Sequence, residues 1–157
     1  LIAPPTMARL DTMFDFVNSF EFSQDSTKIL IADNSNSAKL FDIATGNIIL
    51  IFVGHSDNVT MASFSPDGKQ VVTTSLDGTV RLWDSALAKE TTRFNDLDYA
   101  KFSPNGRYLV GWNEEGGGEV YFVHLDDLIR QAKYRVTREL SCSERLQYLH
   151  ESINCSQ

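Results

Sequence analysis

Residues Gly54–Asp84 read GHSDNVTMASFSPDGKQVVTTSLDGTVRLWD, and this stretch decides the fold. Its period is that of strands: strict alternation puts Val59, Met61 and Ser63 on one side and Thr60, Ala62 and Phe64 on the other. Ser65-Pro66-Asp67-Gly68 supplies a proline with a preset φ and a glycine free to take a positive one, so the chain can reverse between two strands. Asp77-Gly78 offers a second such reversal. Strands are expected near Ile48–Val53, Val59–Phe64, Lys69–Ser75 and Thr79–Trp83. The first is mostly apolar, as suits an outer strand with one covered face.

Working outward, the same pattern recurs twice. VNSFEFSQDS from Val17, VTMASFSPDG from Val59 and LDYAKFSPNG from Leu97 align on their Phe-Ser pairs, with Phe22, Phe64 and Phe102 spaced by 42 and then 38 residues. SAKLFDIATG from Ser37 aligns with TVRLWDSALA from Thr79 at the same 42-residue offset. Self-similarity near 40 residues is the mark of a four-stranded repeating unit. In the third unit Gly118–Val123 take the second landmark's place, after an insertion in the Asn113–Gly118 turn. The flanking units then predict strands near Val17–Phe22, Lys28–Ala32, Ala38–Asp42, Lys89–Phe94, Asp98–Phe102, Arg107–Trp112 and Glu119–His124. The architecture read from the residues is a run of antiparallel meanders.

The unit from Gly54-His55 through FSPDG to SLDGTVRLWD resembles the WD-repeat family. The resemblance implies an all-β fold, a partial WD-repeat β-propeller of about three four-stranded antiparallel blades, with repeats near 12–42, 54–84 and 92–124 inside a domain of residues 1–124. It also implies a hydrogen-bonded set of His55, a strand hydroxyl assigned to Ser75, the turn carboxylate of Asp77, and Trp83. An indole N–H, a hydroxyl, an imidazole and a carboxylate can satisfy one another in a partly buried chain. Losing His55 or Asp77 is expected to lower stability by about 1–3 kcal/mol. The neighbours depart from the pattern: Met13, Ser35 and Phe41 stand where His55, Asp77 and Trp83 align, and in the third unit Arg93, Val123 and His124 align with His55, Trp83 and Asp84. Those units are expected to lean on apolar packing.

Residues 125–157 form a separate helical tail in this reading. Asp126 and Asp127 precede Leu128, Ile129 and Ala132 at helical spacing, which puts acid at a helix's positive end. Ser143 can cap a second helix continuing through Glu144, Leu146, Leu149 and His150, with an apolar face suited to a blade edge. The tail resembles the end segment of WD-repeat regions in large bacterial signalling proteins, in which the propeller is a sensor or docking end.

Composition narrows the function. The chain has 157 residues, 42 % of them hydrophobic, and a net charge of -7 with no continuous basic stripe, which disfavours nucleic acid. No apolar run reaches the roughly 18 residues of a membrane span. The chain starts at Leu1 without a leader pattern, so a longer native chain is expected. Cys142 and Cys155 are too few for a disulfide scaffold, which favours the cytoplasm; they are read as free thiols, with a bridge between them as the alternative. The spacings of Cys142, His150, Cys155 and His124 match no zinc pattern. Ser56, near His55 and Asp57, lacks the nucleophile elbow of a hydrolase. Asp67, Asp77 and Asp84 sit where their side chains can bond turn backbone. Gly116-Gly117-Gly118 lies between strands rather than before a helix, so it is no phosphate cradle.

The function expected is therefore non-enzymatic: a protein-binding scaffold with no cofactor and no metal, its partners proteins or peptides and not nucleic acid or membrane. Phe14, Phe16, Asp57 and Asn58 are the candidate partner contacts. A propeller-based enzyme accessory domain and a purely structural spacer are the alternatives. Open terminal blades leave unpaired edges, so missing blades are expected from a longer chain or another protomer.

Overall fold

The computed structural model describes residues 16–124, together with 126, 127, 129, 130 and 132. Its strands are β1 Val17–Phe22, β2 Lys28–Asp33, β3 Ser37–Asp42, β4 Ile48–Val53, β5 Val59–Phe64, β6 Gln70–Ser75, β7 Thr79–Asp84, β8 Lys89–Asn95, β9 Tyr99–Phe102, β10 Tyr108–Trp112 and β11 Gly118–Phe122. They form three antiparallel meanders, β1-β2-β3-β4, β5-β6-β7-β8 and β9-β10-β11. The third sheet has three strands among the described residues. The units divide between Val123 and His124.

Turn chemistry closes each meander. Gly68, Gly78 and Gly106 all have φ near +70°, a left-handed conformation that costs glycine little and a residue with a Cβ much more. In each turn after the first strand of a sheet, a serine hydroxyl (Ser23, Ser65, Ser103) bonds the side chain two residues on and accepts the N–H five residues on. One device therefore reverses the chain three times, which explains why the Phe-Ser landmark sets the register.

The core lies between sheets. Leu30, Ala32, Ala38, Leu40 and Phe52 of the first sheet pack with Val59, Ala62, Val71 and Trp83 of the second. Val72, Val80 and Leu82, on the other face of the second sheet, pack with Leu97, Ala100, Phe102 and Leu109. Each fully buried large side chain contributes on the order of 1.5–3 kcal/mol. In β5 strict alternation fails: the β5–β6 register shifts between Val59 and Met61, so Val59 joins Ala62 in the same cluster. A bulge adds one residue to one strand and turns the next side chain to the other face. β4 has one covered face, as expected, with Phe52 buried and Leu50 half-buried while Ile49, Ile51 and Val53 are exposed; Ile48, next to a register shift, is exposed too.

The sheets are also joined at the open edge of β5. Ala62 N–H donates to Ser19 Oγ at 2.9 Å, Phe64 N–H to the Glu21 carboxylate at 3.2 Å, and Asn18 Nδ2 to Val59 O at 2.9 Å. Side chains of β1 thus satisfy backbone groups that no strand pairs.

Beyond Val123, Asp126, Asp127, Ile129, Arg130 and Ala132 are helical, and Arg130 lies 3.7 Å from the Asp127 carboxylate. Among the described residues no helix is long and apolar enough to cross a membrane. Met13, Phe14, Leu128, the helix expected after Ser143, and Cys142 and Cys155 lie outside the described residues.

Candidate functional site

Four side chains from four segments meet at one end of the second sheet: His55 before β5, Thr73 in β6, Asp77 in the β6–β7 turn and Trp83 in β7. The Trp83 indole donates to Thr73 Oγ1 at 2.8 Å, Thr73 Oγ1 lies 2.7 Å from His55 Nε2, and His55 Nδ1 lies 2.9 Å from Asp77 Oδ2. The donor inventory fixes the protons. A carboxylate only accepts, so Nδ1 carries the hydrogen; an indole only donates, so Thr73 accepts from Trp83 and gives its own hydrogen to Nε2. The imidazole is neutral in this arrangement. Consistently, burial pulls the His55 pKa below its ordinary value, against the raising influence of Asp77.

Asp77 is the anchor. Burial alone would raise its pKa, but bonds from the Thr79 hydroxyl, the Ser56 N–H and His55 outweigh burial and hold the carboxyl well below the usual range. Arg81, itself buried, lies 3.6 Å from it and 2.8 Å from Glu90. Glu90 also takes Arg93 at 3.0 Å.

The assignment of Ser75 as the bridging hydroxyl is corrected. Ser75 Oγ donates to Asp57 O at 2.9 Å and accepts the Asp77 N–H at 3.1 Å, so it closes the turn. Thr73 takes the bridging place because it sits two residues further into β6, on the same face, opposite Arg81 and beside the cross-strand pair Val71–Trp83. Three hydroxyls in a row, Thr73-Thr74-Ser75, gave no sequence signal to choose among them. Thr74 faces the other way, 2.7 Å from the Thr60 hydroxyl.

The first sheet replaces this set with an ion pair. Lys39 Nζ lies 2.6 Å from Asp33 Oδ2, and the Ser35 hydroxyl bonds the same carboxylate. Phe41 is buried where Trp83 aligns. Apolar packing thus accounts for only part of this blade. Arg93 does not stand in for His55: it lies inside β8, paired with Glu90. The connection from β8 to β9 is shorter than that from β4 to β5, so a constant repeat offset overshoots the loop.

Of the candidate partner contacts, Phe16 and Asp57 are exposed and Asn58 half-buried. They border one loop surface: Asn34 N–H donates to Phe16 O, Val59 N–H to Ser35 O, and Leu76 N–H to Asn58 O. The Asn34-Ser35 turn therefore stands between Phe16 and the Asp57-Asn58 loop. Leu76, 66 % exposed in the β6–β7 turn, belongs to this surface and was missed, although an apolar residue inside a Ser-Leu-Asp-Gly turn is itself a signal. At the other end of the sheets, the turns Ser23–Asp25, Ser65–Gly68 and Ser103-Pro104 border a groove of about 860 Å³.

The carboxylates weighed for catalysis serve turns. Asp67 accepts the Ser65 hydroxyl and the Lys69 N–H, and Asp84 accepts the Ala86 and Leu87 N–H groups. Among the described residues no group of three His, Cys, Asp or Glu is placed to hold a metal.

Comparison with known proteins agrees with this geometry. Residues 46–84 match the family model "WD domain, G-beta repeat". The chain is 30 % identical over 105 residues to U3 small nucleolar RNA-associated protein 21 of Saccharomyces cerevisiae, covering 65 % of this chain and 11 % of that protein. It is 40 % identical over 70 residues to Target of rapamycin complex subunit LST8 of the same yeast, covering 43 % and 23 %. It is 38 % identical over 110 residues to WD repeat and SOCS box-containing protein 1 of Danio rerio, covering 66 % and 25 %. The chain therefore spans a quarter or less of each of these relatives. The solved WD40 β-propeller domain of Doa1 superimposes with a TM-score of 0.62 at 18 % identity, covering 70 % of this chain and 38 % of that one. Residues 46–84 thus match one WD repeat, and the chain has the fold of a partial WD propeller.

Proposed function

We propose that the chain is a non-enzymatic protein-interaction scaffold that binds a protein or peptide through the loop surface of Phe16, Asp57, Asn58 and Leu76. The observation that carries this reading is the placing of exposed Phe16 and Leu76 around a hydrogen-bonded frame. Loops held on a rigid scaffold can present apolar anchors without ordering them on binding. Relatives named as complex subunits support it, LST8 among them. On the same footing we propose that the chain is the sensor or docking end of a larger bacterial signalling protein, working in the cytoplasm. The resemblance of its tail supports the bacterial and signalling part, and the low cysteine count the compartment.

Affinity capture with the 157-residue chain tests the scaffold reading against Phe16→Asp and Leu76→Asp. A directly bound partner should be retained by the wild type and weakened about tenfold or more by either change, the effect of losing an interface anchor. Equal retention by all three proteins overturns the assignment of the surface.

A further inference from the structure

The negative charge of the chain is not spread evenly over it. The strand connections lie at two ends of the sheets. At the end that carries Leu76, the connections 34–36, 54–58, 76–78, 96–98 and 113–117 hold Asp57, Asp77, Asp96, Asp98, Glu114 and Glu115 and no lysine or arginine. At the opposite end, the turns after β1, β5 and β9 set Asp25 and Asp67 against Lys69 and Arg107. The cations nearest the acidic end are paired within their own sheets: Lys39 lies 2.6 Å from Asp33, and Arg81 and Arg93 both lie against Glu90.

The acidic loops flank an apolar side chain. Leu76 is 66 % exposed in its turn. On one side its N–H donates to Asn58 O at 3.0 Å, and on the other the Leu97 N–H donates to Gly78 O at 3.3 Å. The row continues with the Glu114 N–H on the Asp98 carboxylate at 2.9 Å. Hydrogen bonds therefore hold the loops of Asp57, of Asp96 and Asp98, and of Glu114 in a fixed order on either side of Leu76. Asp77 is turned inward, engaged by His55, Ser56 and Thr79, whereas Asp57, Asp96, Glu114 and Glu115 are exposed. These connections sit at strand ends, away from the outer faces of the first and third sheets.

We propose that the partner of this loop surface is a basic protein segment, with an apolar side chain seated against Leu76 and lysines or arginines on either side of it. This rests on the loop-surface reading above and names its ligand. Carboxylates held on neighbouring loops repel one another, and a cation placed among them relieves that repulsion while steering the approach of the partner. A metal ion does not suit the same groups, because among the described residues no three His, Cys, Asp or Glu converge. A segment with several cations spaced around an apolar anchor meets both features at once, since each loop supplies its charge at a different place around Leu76.

Fluorescence anisotropy of the 157-residue chain with three labelled hexapeptides is the test. The probes are Lys-Lys-Leu-Leu-Lys-Lys, Lys-Lys-Ser-Ser-Lys-Lys and Glu-Glu-Leu-Leu-Glu-Glu. The first should bind about tenfold or more tightly than either of the others, and raising the salt from about 0.05 to about 0.3 M should weaken it as the charges are screened. Asp57→Asn/Asp96→Asn and Glu114→Gln/Glu115→Gln should each weaken it about fivefold, the scale of losing two exposed ion pairs. Asp25→Asn/Asp67→Asn removes the same charge at the opposite end, in turns of the kind where Asn105 already serves, and should change binding by less than about twofold. Circular dichroism shows which variants are folded, and either loop pair alone decides the outcome. A basic leucine peptide that binds no better than the acidic one, or that is weakened alike by changes at both ends, overturns the proposal. Protein capture lost in Leu76→Asp but unmoved by the loop pairs removes the basic partner and keeps the surface, so failure of this inference is distinguishable from failure of the reading beneath it.

Discussion

Thr73 carries more than its size suggests. Its hydroxyl both accepts from Trp83 and donates to His55, at 2.8 and 2.7 Å, and all three residues are buried. Thr73→Val keeps the shape and orphans an indole N–H and an imidazole nitrogen, so it should destabilise by about 2–6 kcal/mol at roughly 1–3 kcal/mol per orphaned group. Ser75→Ala, which loses bonds at a turn only, should cost about 0.5–1.5 kcal/mol; denaturant melts of the two variants check the order. The same set makes stability depend on pH. Burial lowers the His55 pKa from its ordinary 6.5, with Asp77, Arg81 and Glu90 facing the ring. A depressed folded pKa means that the unfolded chain binds the proton first, so stability is full above pH 6.5 and falls as the pH drops from there toward the folded value. Asp77, held well below its ordinary 3.8, adds a further loss only as the pH falls below that value. His55→Gln should be less stable at neutral pH and should lose the slope that begins at 6.5; an unchanged slope would show that another group titrates.

At the scale of the strand, register decides what sequence spacing cannot. Arg81 stands directly opposite Arg93 across β7 and β8, and the register shifts between Leu82 and Trp83. Two like charges facing one another are unfavourable, and Glu90 relieves this by accepting Arg81 at 2.8 Å and Arg93 at 3.0 Å. Glu90→Gln should cost about 1–3 kcal/mol, below the usual cost of breaking a buried pair because Glu90 is partly solvated. A thermal melt indistinguishable from the wild type would show that the opposed arginines need no such carboxylate. Strand positions themselves were legible: alternation, Ser-Pro-Asp-Gly and Asp-Gly placed β5, β6 and β7 to within a residue, because turns with left-handed glycines are a local property. Which hydroxyl meets Trp83, and which carboxylate meets Arg81, depends on a bulge and on strand pairing, which no local pattern announces. The loop surface was half legible for the same reason, since Phe16 and Leu76 come together only through backbone bonds between sheets.

For the whole molecule, the sequence repeat and the folding unit are out of phase. The matched repeat, residues 46–84, begins with β4, which belongs to the first sheet, and ends with β7, one strand short of completing the second. Each repeat therefore contributes its first strand to the preceding blade and its next three to its own, so successive blades are tied together by covalent chain as well as by packing. A consequence is that the repeat has no core of its own: Phe52 of β4 is buried against Trp83 at 5.9 Å only because β1–β3 hold β4 in place, and Val72, Val80 and Leu82 are covered by the third sheet. A peptide of residues 46–84 should give the far-UV circular dichroism of an unfolded chain with no cooperative melt. A fragment of residues 16–95, which completes two sheets and the entire cluster around Trp83, should melt cooperatively, at lower temperature than the full chain because the second cluster is stripped of Leu97, Ala100, Phe102 and Leu109. Stability that adds by neighbouring interfaces is the expected behaviour of stacked repeats. A folded 46–84 peptide would show that the repeat, rather than the blade and its neighbours, is the unit that folds.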